Sequence, residues 1–204
     1  MRIVPLLPAS RTPEPWRAFP AVELAWDGAP HPDWMRTAEV PQVHALHLPA
    51  RPWGPALGEA ALAALRPPLG ADFLVLRAAA PEGRSQLSAF MAVLEGLLEV
   101  TQGRGVKLAL RPAPGAAPAL AARLREARGA AVGFCWDSGV GSDLACFEDR
   151  LFCAVGAPGD DFRPIQALGY RWNLAVPATD PAAMRLAAQA ITAAFPPVLF
   201  PEAP

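Results

Sequence analysis

The chain has 204 residues, 52% of them hydrophobic and only 18% charged, with a formal net charge of −1. That balance excludes the broad basic field through which a protein attracts nucleic acid non-specifically. No apolar run reaches the roughly 18 residues that a membrane-spanning helix needs. The stretch Met1–Pro8 is too short and too broken by proline to read as a secretory leader. Three cysteines, Cys135, Cys146 and Cys153, lack metal-finger spacing; they read as reduced thiols and predict a cytoplasmic protein. All 18 basic residues but Lys107 are arginine, and the 25 prolines accompany abundant alanine, a bias that reads as a GC-rich genome rather than as function.

Eight short apolar runs predict strands, at Arg2–Leu7, Val22–Trp26, Val43–Leu48, Phe73–Leu76, Val106–Leu110, Val132–Trp136, Leu151–Val155 and Tyr170–Val176. Their runs are continuous rather than alternating, as in parallel strands covered on both faces. The segments between them predict helices of uneven quality. Pro13–Phe19 is barely helical and Pro32–Thr37 is short, whereas Pro55–Leu65 is a full helix. In Arg84–Gln102, Leu87, Phe90, Met91, Leu94, Leu97 and Leu98 recur at helical spacing before Gly103 stops the pattern. Pro118–Arg128 turns Leu120 and Leu124 inward, with Gly129 as its stop, and Asp143–Glu148 and Arg163–Leu168 are again short. Thr179-Asp180-Pro181 opens the last helix, Pro181–Phe195, with a capping residue and a first-turn proline.

Strand starts fall roughly 19–33 residues apart, the repeat of a βα unit. Eight such units predict an α/β fold: a compact, single-domain (β/α)8 barrel over residues 1–204, with several short or missing outer helices. No Gly-x-Gly-x-x-Gly follows a strand, which weighs against a dinucleotide site. The proline-rich ends, Pro5–Pro20 and Pro196–Pro204, read as coverings or tails.

Four phrases carry a family resemblance. "VHALHLPA" (43–50) is similar to a third strand ending in His-x-Pro, and "GADFLVLRAA" (70–79) to a fourth strand that usually ends in histidine. "GRGVKLALRPAPG" (103–115) stands for a fifth strand whose usual ending is Glu-Asn, and "VGFCWDSGV" (132–140) for a sixth ending in Asp-x-Gly-His. In this order they resemble the xylose isomerase-like barrel superfamily, which includes sugar and sugar-phosphate isomerases and epimerases and metal-dependent endonucleases that act at abasic sites. The resemblance implies one to three divalent ions at the C-terminal mouth of the barrel, held by Glu, Asp and His. His47 and Asp137 match ligand positions, and Glu23 matches a second-strand acidic position. Elsewhere this chain departs from the pattern. Arg77 replaces histidine, Arg111 replaces glutamate, Val140 replaces the second sixth-strand ligand, and Gly156 or Ala157 and Val176 or Pro177 stand where the last two ligands belong.

A guanidinium stays protonated at any working pH. At about 4 Å and an effective dielectric of about 20, unit charges interact by about 4 kcal/mol, so one arginine beside a divalent ion costs about twice that. The expected site therefore has no metal and no other cofactor. Arg77 and Arg111, on adjacent strands with His47 and Asp137 to either side and Trp136 as an apolar wall, form the expected ligand site, suited to a phosphate or carboxylate. Structural roles compete with each assignment. Arg111 can pair with Asp137, Arg77 with Asp72 or Glu82, and Glu23 with Arg2 or Arg51, while His47 can be a hydrogen-bonded remnant. Trp26, Trp53, Trp136 and Trp172 can be packing, Cys135 and Cys153 small core residues, His31 and His44 structural or exposed, and Asp160-Asp161 a solvated loop.

Three functions remain open. The first is a divergent, degenerate-site barrel binding a small anionic or sugar-like molecule without metal catalysis, in effect a pseudoenzyme. The second is an active sugar (phosphate) isomerase or epimerase whose acid–base candidates are His47, Asp137 and Glu23. The third is a partner-binding scaffold. Nucleic acid and membrane are not expected partners, and the sequence does not specify an oligomeric state.

Overall fold

Both faces of each strand are apolar, so the chain needs a layer inside the sheet and another outside it. A closed barrel supplies both. A computed structural model describes residues 1–10, 14–27, 42–66, 70–126, 131–138, 144–147 and 150–196. The strands are β1 (Arg2–Pro8), β2 (Ala21–Ala25), β3 (Gln42–Leu48), β4 (Phe73–Ala78), β5 (Lys107–Pro112), β6 (Val132–Asp137), β7 (Leu151–Val155) and β8 (Asn173–Pro177). They pair in sequence order, all parallel, and β8 closes on β1. The expected (β/α)8 architecture is therefore the observed one.

Helices α1 (Pro55–Ala64), α2 (Gly83–Gln102), α3 (Ala117–Glu126), α4 (Arg163–Ala167) and α5 (Pro181–Ala194) follow strands β3, β4, β5, β7 and β8. Among the described residues, the connection after β1 holds a 3-10 turn, Glu14–Trp16, and that after β6 another, Leu144–Phe147. The helix expected at Pro32–Thr37 lies outside the described residues, as do His31, Gly129 and Val140. α2 buries Phe90, Val93, Leu94 and Leu97 against the sheet, following the helical spacing of its apolar residues. At α5, the Asp180 carboxylate accepts hydrogen bonds from the backbone N–H groups of Ala182 and Ala183. These satisfy donors that the first turn otherwise leaves open. Among the described residues no helix is long and apolar enough to cross a membrane.

Alternation along the strands separates two cores. Leu7, Leu24, Leu46, Leu74, Leu110 and Phe134 belong to the layer between strands and helices. Val4, Leu6, Ala45, Val75, Ala109, Cys135, Cys153, Val155 and Ala175 form the barrel interior. Near the N-terminal end of the strands the interior is filled by Phe73 and Phe152, whose ring centroids are 5.7 Å apart. The Lys107 ammonium lies 5.6 Å from the Phe152 centroid, within range for a cation–π contact. The β2–β3 register shifts between Val22 and Glu23. This leaves His44 without a β2 partner, and its Nδ1 lies 3.0 Å from Asp72 Oδ2.

Gly133 exists because Phe152 occupies the space that its side chain would need: a Cβ there would lie 2.3 Å from a Phe152 ring carbon. Gly133→Ala is expected to overpack this end of the barrel and cost about 1–3 kcal/mol in chemical denaturation. A Gly133→Ala/Phe152→Leu double variant is expected to recover part of that loss, since it removes the clashing ring.

Candidate functional site

In a (β/α)8 barrel the side chains that can meet a ligand are those at the C-terminal strand ends and in the loops that follow. Four of the residues singled out in the sequence stand there: His47 on β3, Arg77 on β4, Arg111 on β5 and Asp137 at the end of β6. Arg77 and Arg111 are direct neighbours in the β4–β5 register. Their guanidinium groups nevertheless have different surroundings. Arg111 donates to Asp137 Oδ2 from Nε at 2.7 Å and from Nη2 at 2.5 Å. Both side chains are mostly buried, at 16% and 14% exposure. Arg77 is exposed and, among the described residues, has no carboxylate partner. Asp72 is instead engaged by His44.

Deeper in the barrel, Glu23 is completely buried and His47 nearly so. His47 Nε2 and Glu23 Oε2 are 2.6 Å apart, within hydrogen-bond distance. The partner of Glu23 is thus His47, rather than Arg2 or Arg51. Two buried atoms of this pair, Glu23 Oε1 and His47 Nδ1, have no hydrogen-bond partner among the described residues. Buried polar atoms are rarely left this way; the third such atom is Nε2 of His44, whose Nδ1 pairs with Asp72.

The remaining candidates are packing or rim residues. Trp136 is buried in the helix-facing layer, at 3% exposure, with its ring edge against Phe162. It does not wall the mouth, because successive strand residues face opposite ways and Asp137 takes the inward position. Trp26 is buried in the same outer layer, whereas Trp172 is exposed just before β8, away from the mouth. Cys135 and Cys153 are free thiols buried side by side on adjacent strands. Burial, and then the Cys135 thiol, push the Cys153 thiol well above its ordinary pKa, so it stays protonated and unreactive. Burial likewise raises the Tyr170 phenol, which donates to the Asn173 carbonyl.

Asp160 proves to be more than a solvated loop residue. It accepts from the Ser138 hydroxyl and from the Ala157 backbone N–H, tying the loop after β6 to the loop after β7. Asp161 does lie on the surface, where hydrogen bonds from Arg163 hold its carboxyl below the usual range.

Beside Arg77 the loops after β3 and β4 border an open cavity of about 470 Å³, lined by Arg51, Trp53, Arg77 and Gln86 with Pro52 and alanines. Arg51 and Gln86 are the functional candidates that sequence reasoning missed in this role. The available signal was position: Arg51 follows β3 directly, on the face where such barrels carry their sites.

The donor set does not fit a divalent ion. Among the described residues there is no group of three or more His, Cys, Asp and Glu able to hold one. Asp137 Oδ2 is occupied by the Arg111 guanidinium. At position 156 a Cβ would lie 2.4 Å from the Phe162 ring, so a side chain there would have to displace that buried ring. Val176 is buried in the outer layer.

These features define the class: a (β/α)8 barrel whose mouth carries charged side chains on β3 to β6. The fold is that of the xylose isomerase-like barrels, the sugar isomerase/epimerase-like proteins and the family 2 abasic-site endonucleases. A xylose isomerase domain protein from Planctomyces limnophilus superposes with a TM-score of 0.64 and 14% identity, covering 95% of this chain and 94% of that one. For a D-tagatose 3-epimerase-like protein the values are 0.69, 14%, 95% and 96%. For an AP endonuclease, family 2, from Brucella melitensis they are 0.66, 12%, 95% and 98%. No family model matches the chain, and no curated protein matches it by sequence.

Breaking the buried pair from one side should strand a charge or a polar group in an apolar interior. His47→Leu is expected to destabilise the protein by about 3–5 kcal/mol, whereas Glu23→Leu/His47→Leu should recover most of that loss. Urea denaturation of the two variants checks this. A double variant no more stable than the single one would show that the pair is not the relevant unit.

Proposed function

We propose that this chain is a divergent sugar isomerase/epimerase-like barrel, acting in the cytoplasm, that has lost its divalent-metal site and binds a small anionic ligand at the mouth without metal catalysis. The observation that carries this reading is the division of labour between neighbouring arginines. Arg111 is neutralised by Asp137, while Arg77 projects, with no carboxylate partner among the described residues, into a cavity that it shares with Arg51. Two cations lining one cavity repel each other unless an anion lies between them, and forked donors suit phosphate or carboxylate oxygens. The cavity volume is within the range of small-molecule sites, about 300–1,000 Å³.

The fit to an anion rather than a cation also follows from charge. A divalent ion at the strand ends would need Arg77 and Arg111 to turn away and Asp137 to release its guanidinium. Each step costs electrostatic free energy that two ligands cannot recover. The lost metal site and the gained anion site are thus two consequences of the same substitutions.

A second reading has an observation in its favour. An imidazole oriented by a carboxylate is an arrangement suited to general acid–base work, and His47 Nδ1 is left unpartnered. On this reading the Glu23–His47 pair, with Asp137, moves protons on a sugar or sugar phosphate without metal. Turnover of such a substrate by metal-free protein, abolished in His47→Gln, would favour it over simple binding.

Isothermal titration with inorganic phosphate tests the first reading. Binding is expected, and Arg77→Ala should weaken it by about tenfold or more, a loss of about 1.4 kcal/mol, while leaving the thermal midpoint unchanged. Elemental analysis of the purified protein should find no stoichiometric divalent metal. Stoichiometric zinc, manganese or magnesium, removable by chelator with loss of stability, would contradict the reading.

A further inference from the structure

The side chains around the Arg51–Arg77 cavity specify more than a charge. Resting on the anion-binding reading above, we infer that the ligand is an amphiphilic anion, a carboxylate or phosphate head on an apolar body, and not a polyhydroxylated sugar phosphate. The inference comes from the hydrogen-bonding character of the lining. Arg51 and Arg77 can only donate. Gln86 can do both in principle, but its Oε1 accepts from the Glu82 backbone N–H at 2.9 Å, which leaves its Nε2 facing outward as a donor. Trp53 has one polar atom, and its Nε1 donates to the Ala79 carbonyl at 2.9 Å. The Ala78 carbonyl is likewise taken, by the Ala113 backbone N–H at 2.8 Å. The other lining side chains are alanine and proline.

The cavity is therefore a wall of donors against an apolar surface, with no side-chain acceptor free. A sugar hydroxyl donates one hydrogen bond as well as accepting others. A polyol placed here finds no free side-chain acceptor for its O–H groups, which keep their hydrogen bonds to water and add little to binding. An anionic head has acceptors only, and matches. The apolar body has a wall waiting for it. Trp53 is fixed at its nitrogen by Ala79 and at its ring by an edge-on contact with the buried Phe90, at 4.6 Å between centroids and 89° between planes. A side chain held at both ends loses little entropy when a ligand packs on it, which favours binding to this surface.

Titration calorimetry of the full chain with phenyl phosphate, ribose 5-phosphate and inorganic phosphate tests this. Phenyl phosphate is expected to bind about tenfold or more tightly than either of the others, the discrimination an apolar pocket and a missing acceptor can supply. Arg51→Ala and Arg77→Ala, both at exposed positions, should each weaken phenyl phosphate by about tenfold, with thermal midpoints unchanged. Ribose 5-phosphate binding as tightly as phenyl phosphate, or more so, would overturn the inference while leaving the anion-binding reading intact. Phenyl phosphate binding unaffected by Arg51→Ala would overturn the location. No binding of any of the three at millimolar concentration would remove both the inference and the reading beneath it.

Discussion

A carboxylate with no exposure, placed in a barrel interior built largely of alanine, valine and cysteine, must be held by a proton donor. Glu23 is held by His47. This contact determines how the rest of the mouth can be used. It engages Nε2 of the third-strand histidine and fixes the orientation of its ring. One layer higher the same logic repeats, with Arg111 and Asp137 satisfying each other across adjacent strands. A barrel that in its structural neighbours is a frame for catalysis here closes its own charges in pairs. Among the described residues, Arg77 stands at its strand end with no carboxylate partner.

The charged residues at the strand ends form a set rather than a scatter. An arginine on β5 without an aspartate on β6 would leave a buried cation, and an aspartate without the arginine a buried anion; either half alone is costly in a site this enclosed. Phe162 covers the position after β7, and Val176 belongs to the outer packing layer. Both positions are packing rather than open space. The cavity beside Arg77 lies off the barrel axis, between the loops after β3 and β4 and the start of α2. Fold similarity at 11–16% identity, as across the solved neighbours, leaves ample room for such a change.

Much of the architecture was legible in the sequence because continuous apolar runs at βα spacing have few other solutions. The strands fell within a few residues of their expected bounds, and the Arg111–Asp137 pair followed from two charged residues at the ends of neighbouring strands. What was not legible has a common cause. Where both faces of a strand are apolar, hydropathy no longer says which residues point inward, and Trp136 was assigned to the mouth although Cys135 and Asp137 hold the inward positions. The Glu23–His47 contact was hidden by the register shift between β2 and β3, since a one-residue slip changes which side chains meet across the interior. Arg51 and Gln86 could not be joined to Arg77 from sequence, because their proximity depends on how two loops and a helix start fold over the rim.

The central claim is that charge pairing inside the barrel has replaced metal binding and left Arg77, with Arg51, to hold an anion. Crystals soaked with tungstate and manganese, and measured for anomalous scattering, test it most directly. The account predicts a tungsten peak between Arg51 and Arg77, no manganese peak in the barrel mouth, and intact Glu23–His47 and Arg111–Asp137 contacts. A manganese peak coordinated by His47 and Asp137, with Arg111 displaced from the aspartate, would contradict it.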